Sequence, residues 1–443
     1  DFWLIRISFI LHCSFFWISL SSFTMGNNCC TESHAPDNYN NYNSNSSKRD
    51  KHKVSVVATQ PGSDPSEIYR FFMVGMGSAG KSTVIKQLQK LCHDRPNIYK
   101  MYDEEWKPIS HEFANHEKER YRRIIRRNVF DALSILEYYV QSWSLRPSSS
   151  SDADVIADMA GDLTACESKL ERHIMHALLR LIKDPAIQAA LNRRSEMIGT
   201  QQIADGTIPF LTEEKMAEIF SESYSPSEND IVHSRSPTTG IQDYRFSVRG
   251  MRIQIHDIGG QKVERGKLLS YITNWVSADR SGYRNFILYV VSMAEYNIPH
   301  PDHQEITLLD ESLMMMQNIL ELQPIQNCGF MIFFNKDDVY REKLRQCATM
   351  PALRDDTLKW LGQYMKENDK ATLRKGAELS HDSMQKVIAK KFTDAIKNVQ
   401  TKRYKGIYRK FTCAVDTKMM NALFDAIEGD LVNYMIDTAS WMM

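Results

Sequence analysis

A chain of 443 residues exceeds a single ordinary core, so length alone predicts two domains. Its 55 Lys and Arg balance its 55 Asp and Glu, which leaves no net charge to draw in a polyanion and gives nucleic-acid binding no electrostatic support. The eight cysteines include neither a C-x-x-C pair nor metal-ligand spacing, and this points to a reducing compartment.

Phe2 to Phe23 run apolar, but Arg6, His12 and several serines interrupt a stretch of about 22 residues that barely reaches bilayer thickness. A signal peptide and a membrane anchor are alternatives; we read residues 1–24 as translated upstream sequence or an artefact, with Met25 as the start. From there the chain reads Met-Gly-Asn-Asn-Cys-Cys-Thr. Removal of Met25 would expose Gly26 for myristoylation, although Cys30 stands where that pattern wants Ser or Thr, and Cys29 and Cys30 are placed for palmitoylation. Two acyl chains anchor stably where one holds marginally, so the expected location is the cytoplasmic face of the plasma membrane. Residues 34–66 are rich in Asn, Ser and Pro and too poor in apolar residues to build a core.

From Tyr69 onward short apolar runs alternate with longer amphipathic stretches, the pattern of an α/β fold with a mostly parallel sheet flanked by helices. Strands are expected at Arg70–Val74, Asp243–Val248, Met251–His256, Phe286–Val291, Gly329–Phe334 and Lys410–Cys413. After the first comes Gly75-Met-Gly77-Ser78-Ala79-Gly80-Lys81-Ser82-Thr83, a G-x-x-x-x-G-K-[ST] loop that opens a helix. Its glycines let backbone N–H groups converge on oxyanions at a helix N-terminus, Lys81 reaches the outer phosphates, and the Ser82 hydroxyl is a Mg²⁺ ligand. Residues 100–228 show no convincing strand and are dominated by 3.6-residue periodicity, with Ile124, Ile125, Val129, Leu133, Leu136 and Val140 on one stripe. This is read as an inserted all-helical domain between the two parts, 67–99 and 229–443, of the α/β domain.

The third expected strand runs into Asp257-Ile258-Gly259-Gly260-Gln261. Such an Asp can hold Mg²⁺ through its water shell, the glycines let a backbone N–H approach the terminal phosphate, and Gln261 can orient a water in line with it. A further strand runs into Asn335-Lys336-Asp337-Asp338. The Asp338 carboxylate can accept from both the ring N–H and the exocyclic amine of guanine, a donor pair that adenine lacks. Asn335 would brace the loop, the Lys336 stem would lie along the base, and the Ala414 N–H of Thr412-Cys413-Ala414 would meet the guanine carbonyl.

P-loop, D-x-G-G-Q, N-K-x-D and T-C-A in this order resemble a GTPase. The long separation of Ser82 from Thr238, together with Asp230-Ile-Val232-His233-Ser234-Arg235-Ser-Pro-Thr238-Thr-Gly-Ile241, narrows the resemblance to heterotrimeric G-protein α subunits over about Tyr69–Phe424. The resemblance implies a Ras-like P-loop domain with an inserted helical domain, GTP or GDP as bound nucleotide, and Mg²⁺ held by Ser82 and Thr238. It further implies Arg235 as an arginine finger in cis, Asp205 as the helical domain's contact with the nucleotide, and catalysis by Gln261 and Arg235. Partners implied are a membrane receptor through the C-terminal helix (about Lys418–Ile436), effectors, GTPase-activating regulators and a βγ dimer.

Several positions depart from the family pattern. Ser78 and Ala79 stand where α subunits usually carry Glu and Ser; that Glu normally pairs with the switch arginine, so Arg235 is expected to lack a latch and GDP to leave faster. Lys262, Gly266 and Leu268 replace Arg, a basic residue and Trp in the second switch, and Gly266 costs the helix about 1 kcal/mol relative to Ala. Residues 31–66 show no amphipathic stripe for βγ. A nucleotide-bound interaction protein with weak or no hydrolysis, and an ATP-using P-loop enzyme, are the competing readings.

Overall fold

The computed structural model describes residues 67–110, 112–148, 152, 170–197, 201–260, 262–277, 283–399 and 407–440. All lie in the compact unit that runs from Pro61 to Met443. Strand β1 (Ile68–Val74) is buried along its whole length, and its period of two divides it between two cores. Phe72 and Val74 enter one core, Tyr69, Phe71 and Met73 the other. Helix α1 (Lys81–Asp94) follows the loop after β1 and packs Val84, Ile85, Leu88 and Leu91 into the second core.

A short hairpin then extends the sheet. Strands β2 (Tyr99–Tyr102) and β3 (Pro108–Ile109) pair antiparallel, and β2 pairs with β4 (Ile241–Val248). The expectation of no convincing strand within residues 100–228 is therefore corrected. The four residues Tyr99-Lys100-Met101-Tyr102 are too few to show a readable alternation, and only pairing to β4 gives them strand geometry.

The next elements are helical: α2 (Asn115–Ser142), α3 (Arg172–Lys183), α4 (Pro185–Asn192), α5 (Glu213–Ile219) and α6 (Glu228–His233). They enclose a third core, in which Ile125, Val129, Leu133, Leu136 and Val140 of α2 meet Leu178, Ile187, Met216 and Phe220. The predicted stripe is this buried face, except that Ile124 is half-buried.

Beyond β4 come β5 (Met251–Ile258), α7 (Lys262–Ser277), β6 (Tyr283–Ser292), α8 (Leu308–Glu321), β7 (Gly329–Asn335), α9 (Asp337–Gln346), α10 (Pro351–Leu361), α11 (Glu367–Arg374), α12 (His381–Lys397), β8 (Ile407–Phe411) and α13 (Thr417–Ser440). Helix α7 runs through Gly266, and Leu268 buries its side chain in the first core. The sheet order is β3-β2-β4-β5-β1-β6-β7-β8. Strands β5, β1, β6, β7 and β8 are parallel neighbours, so their carboxyl ends share one rim, where ligands of open α/β sheets bind. The last strand ends at Phe411, two residues before the expected Cys413, because Thr412 to Ala414 turn to meet the loop after β7. Among the described residues no helix is long and apolar enough to cross a membrane.

Candidate functional site

The loop after β1 owes its shape to positive backbone angles. Gly80 sits at φ 100°, and a Cβ there would stand 2.2 Å from Asn335 Nδ2, so only glycine fits. Ser78 adopts φ 68°, uncommon for a side chain outside Asn or Asp. Lys81 is buried and donates to the carbonyls of Gly75 at 2.9 Å and Met76 at 3.0 Å, which aims its ammonium across the mouth of the loop. Gly260 closes the opposite wall: a Cβ there would lie 2.4 Å from Lys81 Nζ and 2.7 Å from the Met76 backbone.

Three elements separated in sequence bring oxygens together beside this loop. Ser82 Oγ at the start of α1 lies 2.6 Å from Thr238 Oγ1 and donates to Asp257 Oδ2 at 2.8 Å. Asp257, near the end of β5, is buried, and its Oδ1 has no partner. Burial raises its pKa, with Lys81 and the Ser82 hydroxyl opposing. An orphaned carboxylate oxygen beside two hydroxyls is a donor set for a hard divalent cation, so these residues fit Mg²⁺.

Arg235 follows α6, whose start is fixed by a capping box between Ser227 and Asp230. Asp230 also accepts from Tyr224 Oη at 3.1 Å and pairs with Lys215 at 2.8 Å. The Arg235 guanidinium donates to Ser78 Oγ at 2.6 Å. This corrects the expectation that Arg235 has no latch: a neutral hydroxyl takes the place of the usual carboxylate. The backbone before it is held by Lys86 of α1, which donates to Ser234 O at 2.7 Å and Ser234 Oγ at 3.0 Å. Burial, then the nearby Arg120, lower the Lys86 pKa to about 8. His233 turns toward Phe210 and leaves its Nδ1 buried without a partner.

At the other end of the cleft Asn335 donates to Ala79 O at 2.8 Å, and its Oδ1 accepts from Thr412 Oγ1 at 3.1 Å and the Ala414 N–H at 3.0 Å. The bracing role expected of Asn335 is thus present. The Ala414 N–H, expected to face a guanine carbonyl, is engaged by Asn335 instead. Lys336 sits at φ 62° and pairs with Asp205 of the helical region at 2.8 Å. Burial opposes its charge, but Asp205 and Glu295 raise its pKa overall.

One cleft of about 660 Å³ is lined by Gly77, Ser78, Gly80, Lys81, Ser82 and Thr83, by Asp205, by Val232 to Thr238, and by Gly260, Asn335, Lys336, Asp338 and Ala414. Five expected contacts are not among its lining residues, one of them Asp257, which is buried and bonded to the lining residue Ser82. Asp337 is turned away, its Oδ1 accepting from His381 Nε2 at 2.8 Å and Gln385 Nε2 at 2.7 Å, because it is the residue that fastens α9 to α12. Ala79 and Ile258 put their side chains into the two cores, and the Gly259 N–H donates to Gly240 O at 3.1 Å. Gln261, Gly26, Cys29 and Cys30 lie outside the described residues. Sequence reasoning passed over Lys86 and Asn128. A lysine in the apolar run Val84-Ile85-Lys86 and an Asn in mid-helix are the signals that were available.

Comparison with known proteins now bears on this geometry. The sequence profile of the G-protein alpha subunit matches residues 39–431. The chain belongs to the G-protein α subunit family. Its relatives include the guanine nucleotide-binding protein alpha-9 subunit of Dictyostelium discoideum, 24% identical over 88% of this chain and 97% of that one. The subunit alpha-15 of Mus musculus is 23% identical over 87% of this chain and 92% of its own length. The alpha-8 subunit of Caenorhabditis elegans is 25% identical over 86% and 91%. Like other G-protein α subunits, this one combines the Ras-like sheet with a helical region, and the family as a whole binds guanine nucleotide, hydrolyses GTP and transduces signals.

Proposed function

We propose that this α subunit binds GTP with Mg²⁺ and hydrolyses it to GDP and phosphate as a switch coupled to a membrane receptor. The observation that carries the reading is the convergence on one cleft of Ser82, Thr238 and Arg235, with the buried Asp257 bonded to Ser82, and of the loop at Asn335, Lys336 and Asp338. Ser82 and Thr238 would hold the cation directly, and Asp257 would hold it through the water shell. The ion supplies charge neutralisation at the phosphates when bound. Lys81, aimed by two carbonyls, binds the outer phosphates. Arg235 leaves a neutral hydroxyl, not a carboxylate, to reach charge that shifts toward the leaving oxygen, so no ion pair has to be broken. Gln261 orients the attacking water, and Asp338 selects guanine.

The lipid anchor at Gly26, Cys29 and Cys30, attachment to the cytoplasmic face of the plasma membrane, receptor contact through α13, and partnership with effectors, regulators and βγ belong to the same proposal. Single-turnover hydrolysis of GTP by the full chain tests it. The parent should release phosphate, and Arg235→Cys and Gln261→Leu should each slow release by on the order of a thousandfold, a magnitude established for the family and not for this chain. No release by the parent would favour the nucleotide-bound scaffold. Displacement of labelled GTP by equimolar ATP would revive the ATP-using reading.

A further inference from the structure

Asn128 stands in the middle of α2, one residue from the buried stripe, where helix propensity gives Asn no advantage over Ala. Its side chain reaches the first switch. Asn128 Oδ1 accepts from the Arg235 N–H at 2.8 Å, and Asn128 Nδ2 donates to Arg235 O at 2.9 Å. Both polar groups of one peptide residue are thereby satisfied by one side-chain amide, the pairing a neighbouring strand would otherwise provide. One turn further along the same face, Asp131 lies close enough to Arg235 to interact with its charge, while bonding Arg127 Nε at 2.8 Å.

We propose that Asn128 is a positioning residue that fixes the Arg235 backbone and so ties closure of the helical region to the hydrolysis step; this rests on the GTPase reading above. Two consecutive residues are held from two sides. Lys86 of α1 grips Ser234 from the α/β region, and Asn128 grips Arg235 from the helical region. The Arg235 side chain has only the Ser78 hydroxyl as its hydrogen-bond partner among the described residues, so its direction depends on how its backbone is set. When the helical region swings away, Asn128 goes with it and the guanidinium loses its aim. Nucleotide release and hydrolysis then draw on the same two hydrogen bonds in opposite states: intact for hydrolysis, broken for release.

The test measures single-turnover hydrolysis and dissociation of labelled GDP for the parent, Asn128→Ala, Asn128→Asp, Arg235→Cys and the double variant Asn128→Ala/Arg235→Cys. Asn128→Ala should slow hydrolysis about tenfold and speed GDP release, consistent with two hydrogen bonds lost. Asn128→Asp keeps the acceptor but faces the Arg235 carbonyl with a second oxygen, and should do the same. In the Arg235→Cys background the Asn128 change should leave hydrolysis unaltered, a non-additivity that general loosening would not produce. Ala is the better helix former, so the melting temperature of Asn128→Ala should not fall through α2 itself. Equal hydrolysis by parent and Asn128→Ala, or equal slowing in both Arg235 backgrounds, overturns the inference while leaving the GTPase reading intact. A parent that releases no phosphate removes the GTPase reading and with it the catalytic role of Asn128.

Discussion

Ser78 illustrates how one side chain resets the balance at the site. Its hydroxyl accepts from Arg235 at 2.6 Å, so the arginine is latched, but by a neutral group that gives up the charge assistance of a carboxylate. Because the serine sits on an exposed corner of the loop, a longer acidic side chain can occupy the position without entering a core. Ser78→Glu should therefore slow dissociation of labelled GDP several-fold, consistent with about 1 kcal/mol for a charge-assisted replacement; an unchanged rate would mean the latch does not limit release. Lys86 gives a prediction of a different kind. Burial puts its pKa near 8, below the value of about 10.4 for the unfolded chain. Between those values the unfolded chain binds more protons, so stability rises with pH there and the penalty is complete below pH 8. From pH 7 to 9 the parent should gain on the order of 1 kcal/mol over Lys86→Met in chemical denaturation, and parallel curves would refute the shift.

Elements differ in how much of them the amino acids announce. Strands β1, β6 and β7 carry long apolar runs because both faces of a central parallel strand are buried, and such runs are legible without any partner. The hairpin β2–β3 is not legible: Tyr99-Lys-Met-Tyr and Pro108-Ile109 are too short to show a period, and their strand form depends on β4. Helix α2 shows the reverse case, where the stripe was plain but Asn128 on its flank carried the functional contact. The loop after β7 shows both at once. N-K-x-D was readable as a motif with Asp338 as its cleft-facing carboxylate, yet the place of Asp337 off the cleft was decided by α12, whose His381 and Gln385 capture it.

At the scale of the whole molecule the site is a cleft with walls from two regions, and the ion pair between Lys336 and Asp205 at 2.8 Å closes its far end. Glu295 stands 3.7 Å from the same ammonium, so Lys336 keeps a partner even when Asp205 moves off with the helical region. Asp205→Asn should speed GDP dissociation, since it weakens the charge-assisted bridge that joins the helical region to Lys336. A variant that releases GDP at the parent rate would show that this bridge does not hold the cleft shut.

What the amino-acid order determined by itself was local: a glycine-framed loop opening a helix, an Asp at the end of a strand, an N-K-x-D tetrapeptide and an apolar stripe, each arising from a spacing that needs no distant partner. Tertiary structure alone decided the relations among them. The Ser82–Thr238–Asp257 cluster, the Ser78 latch, the capture of Ala414 by Asn335 and the Asn128 clamp all join residues far apart in the chain. The physical reason is that hydrogen bonds act over about 3 Å. Only the packing of the sheet against the helical region sets which polar groups come within that reach.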